Sequence, residues 1–197
     1  MDPVEALTRL GGVASFAALR ELTSRRAIRT AVAGGSIKRI GRDRYSILAP
    51  DQARRTAMLV NGYAAYLTAA SLHGWEVRAL PPRPQVVIPR KRVVPKISAA
   101  EVRRVDLRPG DVGGWATSPL ATVLMCAADL PFADGLAVAD SALRHDAVEQ
   151  RELTAAVARL RGERGDRARR VAAYADGRAA NPFESTLRAV AVEWGSR

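Results

Sequence analysis

Three helix starts and one hairpin turn fit within the first fifty residues, and that spacing leaves room for little except a small helical unit with a two-stranded flap. Asp2-Pro3-Val4-Glu5 has the order of a helix N-terminus: Asp2 caps, Pro3 takes the first helical position, and Glu5 stands third for a capping box. Val4, Leu7 and Leu10 make one apolar ridge, which Gly11-Gly12 ends. Ser15 opens a second helix with Phe16, Leu19 and Leu22 inward. After a tight turn at Thr23, Ser24 caps a third helix running to about Ala33, stopped by Gly34-Gly35. Ile37-Lys38-Arg39-Ile40 and Arg44-Tyr45-Ser46-Ile47 then flank Gly41-Arg42-Asp43, the pattern of a β-hairpin. Three helices followed by a hairpin is the order of a winged helix-turn-helix, and Pro50-Asp51 closes the unit.

At about 100° per residue, the third helix puts Ala27, Ile28, Ala31 and Val32 on one side and Arg25, Arg26, Arg29 and Thr30 on the other. Ala33, also on the polar side, is small enough for a close backbone approach. Such a helix docks by its apolar face and offers arginines to guanine edges or phosphates in a major groove. The hairpin adds Lys38, Arg39, Arg42 and Arg44, suited to phosphate or minor-groove contact. From Arg20 to Arg44 eight basic residues face only Glu21 and Asp43, so this stretch carries +6 of the net +11. The expected partner is double-stranded DNA, bound through Arg25, Arg26, Arg29, Thr30, Lys38, Arg39, Arg42 and Arg44. A solvated basic face on an ordinary helical unit is the alternative.

The excess charge needs that second test, because 28 of the 31 basic residues are arginine; only Lys38, Lys91 and Lys96 are lysine. With the many Ala, Gly and Val, that bias suggests a GC-rich genome, which explains part of the charge without any function. Arg90-Lys91-Arg92 and the group Arg164, Arg167, Arg169 and Arg170 are weaker basic clusters of this kind.

Downstream, residues 53–73 read as largely helical, Gln85-Val86-Val87-Ile88 as a short buried strand, and Val102 to Leu107 as another. Thr117/Ser118 with Pro119 start a helix whose face is Leu120, Val123, Leu124 and Ala127, and Pro131 ends it. Leu136–Arg144 and Glu149–Leu160 are further helices. Arg161 to Asp166 reads as a polar linker, followed by a basic helix over 167–175. Asn181-Pro182-Phe183-Glu184 repeats the cap of residues 2–5 and opens a helix with Phe183, Leu187, Val190 and Trp194 on one side. The expected class is α+β, mainly helical: a winged helix-turn-helix (1–50), a mixed helical and strand middle domain (51–146), and C-terminal helices (147–197).

With 48% hydrophobic and 26% charged residues, this is the composition of a folded chain rather than a disordered one. One cysteine, Cys126, excludes an intrachain disulfide and a cysteine-built zinc site. The acidic start lacks the charge of a signal peptide, and the longest apolar run, Leu120 to Leu130, is too short for a membrane span. A cytoplasmic protein is expected, with no membrane partner. His73 and His145 are the only histidines, and no spacing joins them to a serine and an acid as a triad. Walker A, G-x-G-x-x-G and H-E-x-x-H motifs are absent, so neither catalytic residues nor a metal or cofactor is expected. His73-Gly74-Trp75 reads as structural.

Ala6 to Ala14 and Arg39 to Ile47 resemble the N-terminal winged-helix domain of AbiEi-type antitoxins from type IV toxin-antitoxin systems. Ala70 to Trp75, Thr117 to Leu120, Ala137 to Arg144 and Asn181 to Arg188 resemble a larger actinobacterial group. In that group the region is joined to a domain similar to very-short-patch-repair endonucleases (domain of unknown function 559). The resemblance implies operator binding and autorepression and a nucleotidyltransferase-type toxin as partner; a homodimer on DNA is expected separately, because winged-helix proteins often read paired half-sites. The resemblance also implies that Glu184 corresponds to the acid on the nuclease fold's first helix. The metal-binding Asp and the E-x-K strand would follow Arg197, so the chain reads as a truncated member without nuclease activity.

Overall fold

The computed structural model describes residues 1–10, 13–41, 44–46, 52–94 and 100–195. The expected stop at Gly11-Gly12, the wing tip Arg42-Asp43, Ile47 and the closing Pro50-Asp51 therefore lie outside the described residues. The fold is α+β and mainly helical, with ten α-helices and two small sheets among the described residues.

The first helices form where their caps put them. Asp2 Oδ2 accepts from the Val4 and Glu5 amides at 2.8 and 3.3 Å, at the start of α1 (Pro3–Arg9). Glu5 itself reaches forward to Arg9. Ser15 and Ser24 hydroxyls accept from the Ala18 and Ala27 amides, each at 3.1 Å, and so cap α2 (Phe16–Leu22) and α3 (Arg25–Ala33). Leu7, Leu19, Ile28 and Ile37 meet in a core of their own. A strand unforeseen in the sequence, β1 (Val13–Ser15), joins β2 (Lys38–Gly41) and β3 (Arg44–Ser46) in an antiparallel sheet of order β1-β3-β2. The hairpin register runs Lys38 opposite Ser46 and Arg39 opposite Tyr45, with an irregularity before Gly41.

The long helix expected over 53–73 is instead two, α4 (Gln52–Leu59) and α5 (Tyr66–Leu72), separated by β4 (Tyr63–Ala64). Asn61 takes a left-handed conformation at φ 47°, and a Cβ at Gly62 would lie 2.6 Å from the Val87 carbonyl oxygen. Only glycine lets the chain pass that close to its neighbouring strand. Strand β4 pairs antiparallel with β5 (Gln85–Pro89), which pairs parallel with β6 (Glu101–Val105). On its other side β4 pairs with β8 (Ala116–Thr117), and β8 with β7 (Val112–Gly113). Strand β5 is buried on both faces: Val86 and Ile88 meet Ala57 and Val60, while Val87 joins the main core.

That core extends through α6 (Pro119–Asp129), α7 (Phe132–Arg144), α8 (Gln150–Ala158) and α9 (Gly162–Tyr174). The polar linker expected at 161–166 is the first turn of α9. Its glycine serves packing rather than flexibility, since a Cβ at Gly165 would meet the Leu160 carbonyl at 2.7 Å. Tyr66 begins α5 in a left-handed conformation (φ 54°), rare for a bulky residue. Its hydroxyl donates to Asp129 at 2.9 Å, and Arg164 grips the same carboxylate with two bonds of 2.6 and 2.7 Å. Burial and the Asp129 charge push the Tyr66 phenol up to about 12.

The last helix, α10 (Pro182–Gly195), starts on a reciprocal cap: Asn181 accepts from the Phe183 and Glu184 amides, and Glu184 accepts from the Ala180 amide at 2.8 Å. It docks on α7 through Ser185 and Ala189. Phe183, Leu187, Val190 and Trp194 do share a side, but it is the exposed one, with Phe183 at 72% and Trp194 at 78%. Replacing either ring with serine is therefore expected to change unfolding free energy by about 0.5 kcal/mol or less in urea titrations. A loss above about 2 kcal/mol would mean that this face is covered in solution.

Candidate nucleic-acid interface

Helix α3 buries Ile28 and Ala31 and exposes Arg25, Arg26, Arg29, Thr30 and Ala33, the division that its periodicity requires. Behind it, α2 and α3 are joined at Thr23, whose hydroxyl donates to the Met1 carbonyl at 2.7 Å and ties the turn to the chain start. Strand β2 lies alongside and exposes Lys38 and Arg39. Between α3 and the hairpin runs a groove of about 490 Å³. Arg25, Arg29 and Arg39 line it, with Phe16, Val32 and Tyr45 forming its apolar part. The Phe16 and Tyr45 rings lie 6.1 Å apart, a contact no local pattern in the sequence announced. Arg44 belongs to β3, next to Tyr45, and Arg42 lies outside the described residues.

The electrostatic setting separates this surface from the rest of the molecule. Among the described residues Arg25, Arg26, Arg29 and Lys38 make no ion pair and no side-chain hydrogen bond. Elsewhere most arginines are mated, among them Arg78 to Asp134, Arg90 to Asp106, Arg103 to Glu101, Arg144 to Glu76 and Arg188 to Asp140. In the weaker basic groups, Arg92 donates to the Asn61 carbonyl, while Arg164, Arg167 and Arg169 meet Asp129, Glu163 and Asp166. Arg170 lies over the Phe132 ring, 4.3 Å from its centre. Arg104, Arg108, Arg159 and Arg161 are also uncommitted among the described residues, but only α3 sets three such arginines within five residues, with Lys38 on the neighbouring strand.

The remaining polar residues of interest hold structure. The His73 imidazole bonds to the Thr117 carbonyl at 2.9 Å and stacks near Trp75, while Gly74 turns the chain at φ 81°. Burial pushes the His73 pKa down. Cys126 is fully buried, and desolvation pushes its thiol far up, so it is a poor nucleophile. His145, Ser141 and Arg144 all gather on Glu76. Thus the segments 117–120, 137–144 and 181–188 and the stretch 70–76 are bonded to one another through His73–Thr117, Glu76–Ser141 and Asp140–Ser185. Among the described residues no three His, Cys, Asp or Glu side chains cluster as a metal site. Nor is any helix there long and apolar enough to cross a membrane.

The Ser141 hydroxyl, with Arg144 and His145, holds the Glu76 carboxyl down at about 2. A depressed acid contributes stability above its unfolded value of about 4.5 and loses it as pH falls towards 2. Glu76→Gln should therefore flatten the acid limb of the stability profile in that window. Half-exposure of the side chain keeps the effect near 1 kcal/mol or less. Parallel profiles for both proteins would show that this cluster does not matter.

An α+β chain with a three-helix unit, a basic hairpin and a larger helical body is the setting in which the comparisons fall. Residues 63–172 match the AbiEi antitoxin C-terminal domain, and the chain belongs to that family. The match corrects the resemblance drawn from the sequence, which placed the family in the N-terminal helices and hairpin; it falls on the sheet and helices that follow them. Two uncharacterized proteins of Mycobacterium tuberculosis, MT2308 of strain CDC 1551 and Rv2248 of strain H37Rv, are each 33% identical over 171 residues. That alignment takes in 83% of this chain, which spans 63% of the length of either relative. The crystal structure of the RV2827C protein from the same species aligns with 95% of this chain and 79% of its own, at 16% identity and a TM-score of 0.43. That likeness is too loose to carry fold or function.

Proposed function

We propose that this chain is an antitoxin that also regulates transcription, holding operator double-stranded DNA with α3 in the major groove and the β2–β3 wing beside it. In this reading residues 1–50 bind DNA, and 51–146 with 147–197 form one body around a shared core. That body antagonises a nucleotidyltransferase-type toxin. The protein acts in the cytoplasm, as a homodimer on paired half-sites. One observation carries the reading: α3 exposes Arg25, Arg26 and Arg29 together on one short helix without a carboxylate partner among the described residues, while most arginines across the larger body are mated. Unmated arginine on a protruding helix is free to exchange its counterions for phosphates. Anisotropy with a labelled duplex from upstream of the gene tests the DNA half, and co-purification with a neighbouring nucleotidyltransferase tests the toxin half. Absence of any duplex binding at low salt overturns the first.

Nuclease activity is not part of the proposal. Glu184 is engaged in closing the cap of α10. The purified chain with Mg²⁺ or Mn²⁺ is expected to leave plasmid DNA intact over hours. Cleavage that survives repurification and disappears in Glu184→Ala would reverse this.

A further inference from the structure

The geometry points to guanine as the base read by this surface, with Arg26 and Arg29 as the readers and Arg25 with Arg39 as phosphate holders. This deepens the DNA-binding reading and rests on it. The docked side of α3 is set by Ile28 and Ala31. At about 100° per residue, the direction opposite those two falls within about 10° of Arg26 and Ala33, about 50° from Arg29 and Thr30, and about 90° from Arg25. Arg26 therefore points most directly away from the protein, and Ala33 behind it leaves room for the duplex to come close. Arg25 lies furthest to the flank of the groove that it lines with Arg29 and Arg39, where a backbone strand would pass between helix and wing.

Chemistry then selects the base. A guanidinium forks onto guanine O6 and N7, whereas adenine is read by Asn or Gln. The exposed arc of α3 offers arginine, Thr30 and Ala33, and neither amide residue. Arg26 and Arg29 are three residues apart, about 4.5 Å along the axis, close to one base-pair step. They are placed for guanines in neighbouring pairs. The Thr30 methyl, 40° or so further round, suits a thymine methyl on the adjoining step.

Selection from a random duplex pool with the full chain is expected to enrich two neighbouring guanines. Replacing either G·C pair of the selected duplex with A·T should weaken binding about 5- to 150-fold. Arg26→Gln should turn one of those guanines to adenine in a repeat selection, and Arg29→Ala should leave the other position unselected. Arg25→Ala and Arg39→Ala should weaken selected and random duplexes by similar factors. All four side chains are exposed, so thermal melts matching the parent exclude misfolding. Tight duplex binding without guanine enrichment, or an Arg26→Gln variant selecting the parent sequence, overturns the guanine assignment and leaves DNA binding standing. No binding to any duplex at low salt overturns both.

Discussion

Raising monovalent salt from about 50 to 200 mM is expected to weaken operator binding roughly 150- to 2,000-fold. The figure follows from four to six phosphate contacts, each contributing about −0.9 to the slope of log affinity against log salt. The donors are at hand: Arg25, Lys38 and Arg39 are exposed on α3 and β2, with Arg42 and Arg44 in the same hairpin sequence. Arginines already held by carboxylates would add little, because binding them to phosphate would first break an ion pair. The slope should therefore fall by about one for each of Lys38→Ala and Arg25→Ala, and hardly at all for Arg78→Ala or Arg151→Ala, whose partners are Asp134 and Glu149. A flat titration, or equal effects from both groups, would mean that net charge alone attracts the nucleic acid.

Asp140→Ala is expected to cost about 3–5 kcal/mol, a large part of the 5–15 kcal/mol typical of a folded chain. Asp140 is fully buried, and its two oxygens are the joint between three segments. One accepts from the Asp176 amide at 2.7 Å; the other accepts from the Ser185 hydroxyl at 2.7 Å and from Arg188 at 2.9 Å. Removal leaves a guanidinium, a hydroxyl and an amide without their acceptor where α10 leaves the body. Burial raises the Asp140 pKa against the pull of the Asp176 amide, Ser185 and Arg188. A raised acid binds its proton more tightly when folded, so its ionised form opposes folding above the raised pKa and that cost fades as pH drops. Faster hydrogen exchange in α10 should accompany the loss of stability. A variant with the parent's melting temperature and α10 protection would show that the joint is dispensable.

What the sequence determined alone is local. Asp2, Ser15, Ser24 and Asn181 mark helix starts because each supplies an oxygen to amides two or three residues on, within reach whatever the rest of the chain does. The amphipathic division of α3 was legible for the same reason, since a helix fixes its own faces, and with it the basic half of the candidate site.

Tertiary structure decided what depends on a distant partner. Strands of two or three residues, such as β1, β4, β7 and β8, are too short to show a period and exist because a neighbour pairs with them. Gly62 stands inside the helix expected over 53–73 and Gly165 in the expected linker, but both are places of close approach, to Val87 and to Leu160. The α10 stripe was visible as a stripe, yet which side would be covered depended on the Asp140 joint with Ser185 and Arg188, more than forty positions apart in sequence. The same holds for charge. Composition counts arginines, but only the folded chain brings Arg164 to Asp129 and Arg144 to Glu76, and so separates the mated from the uncommitted. An ion pair is a matter of a few ångströms in space, which the order of residues along the chain does not specify.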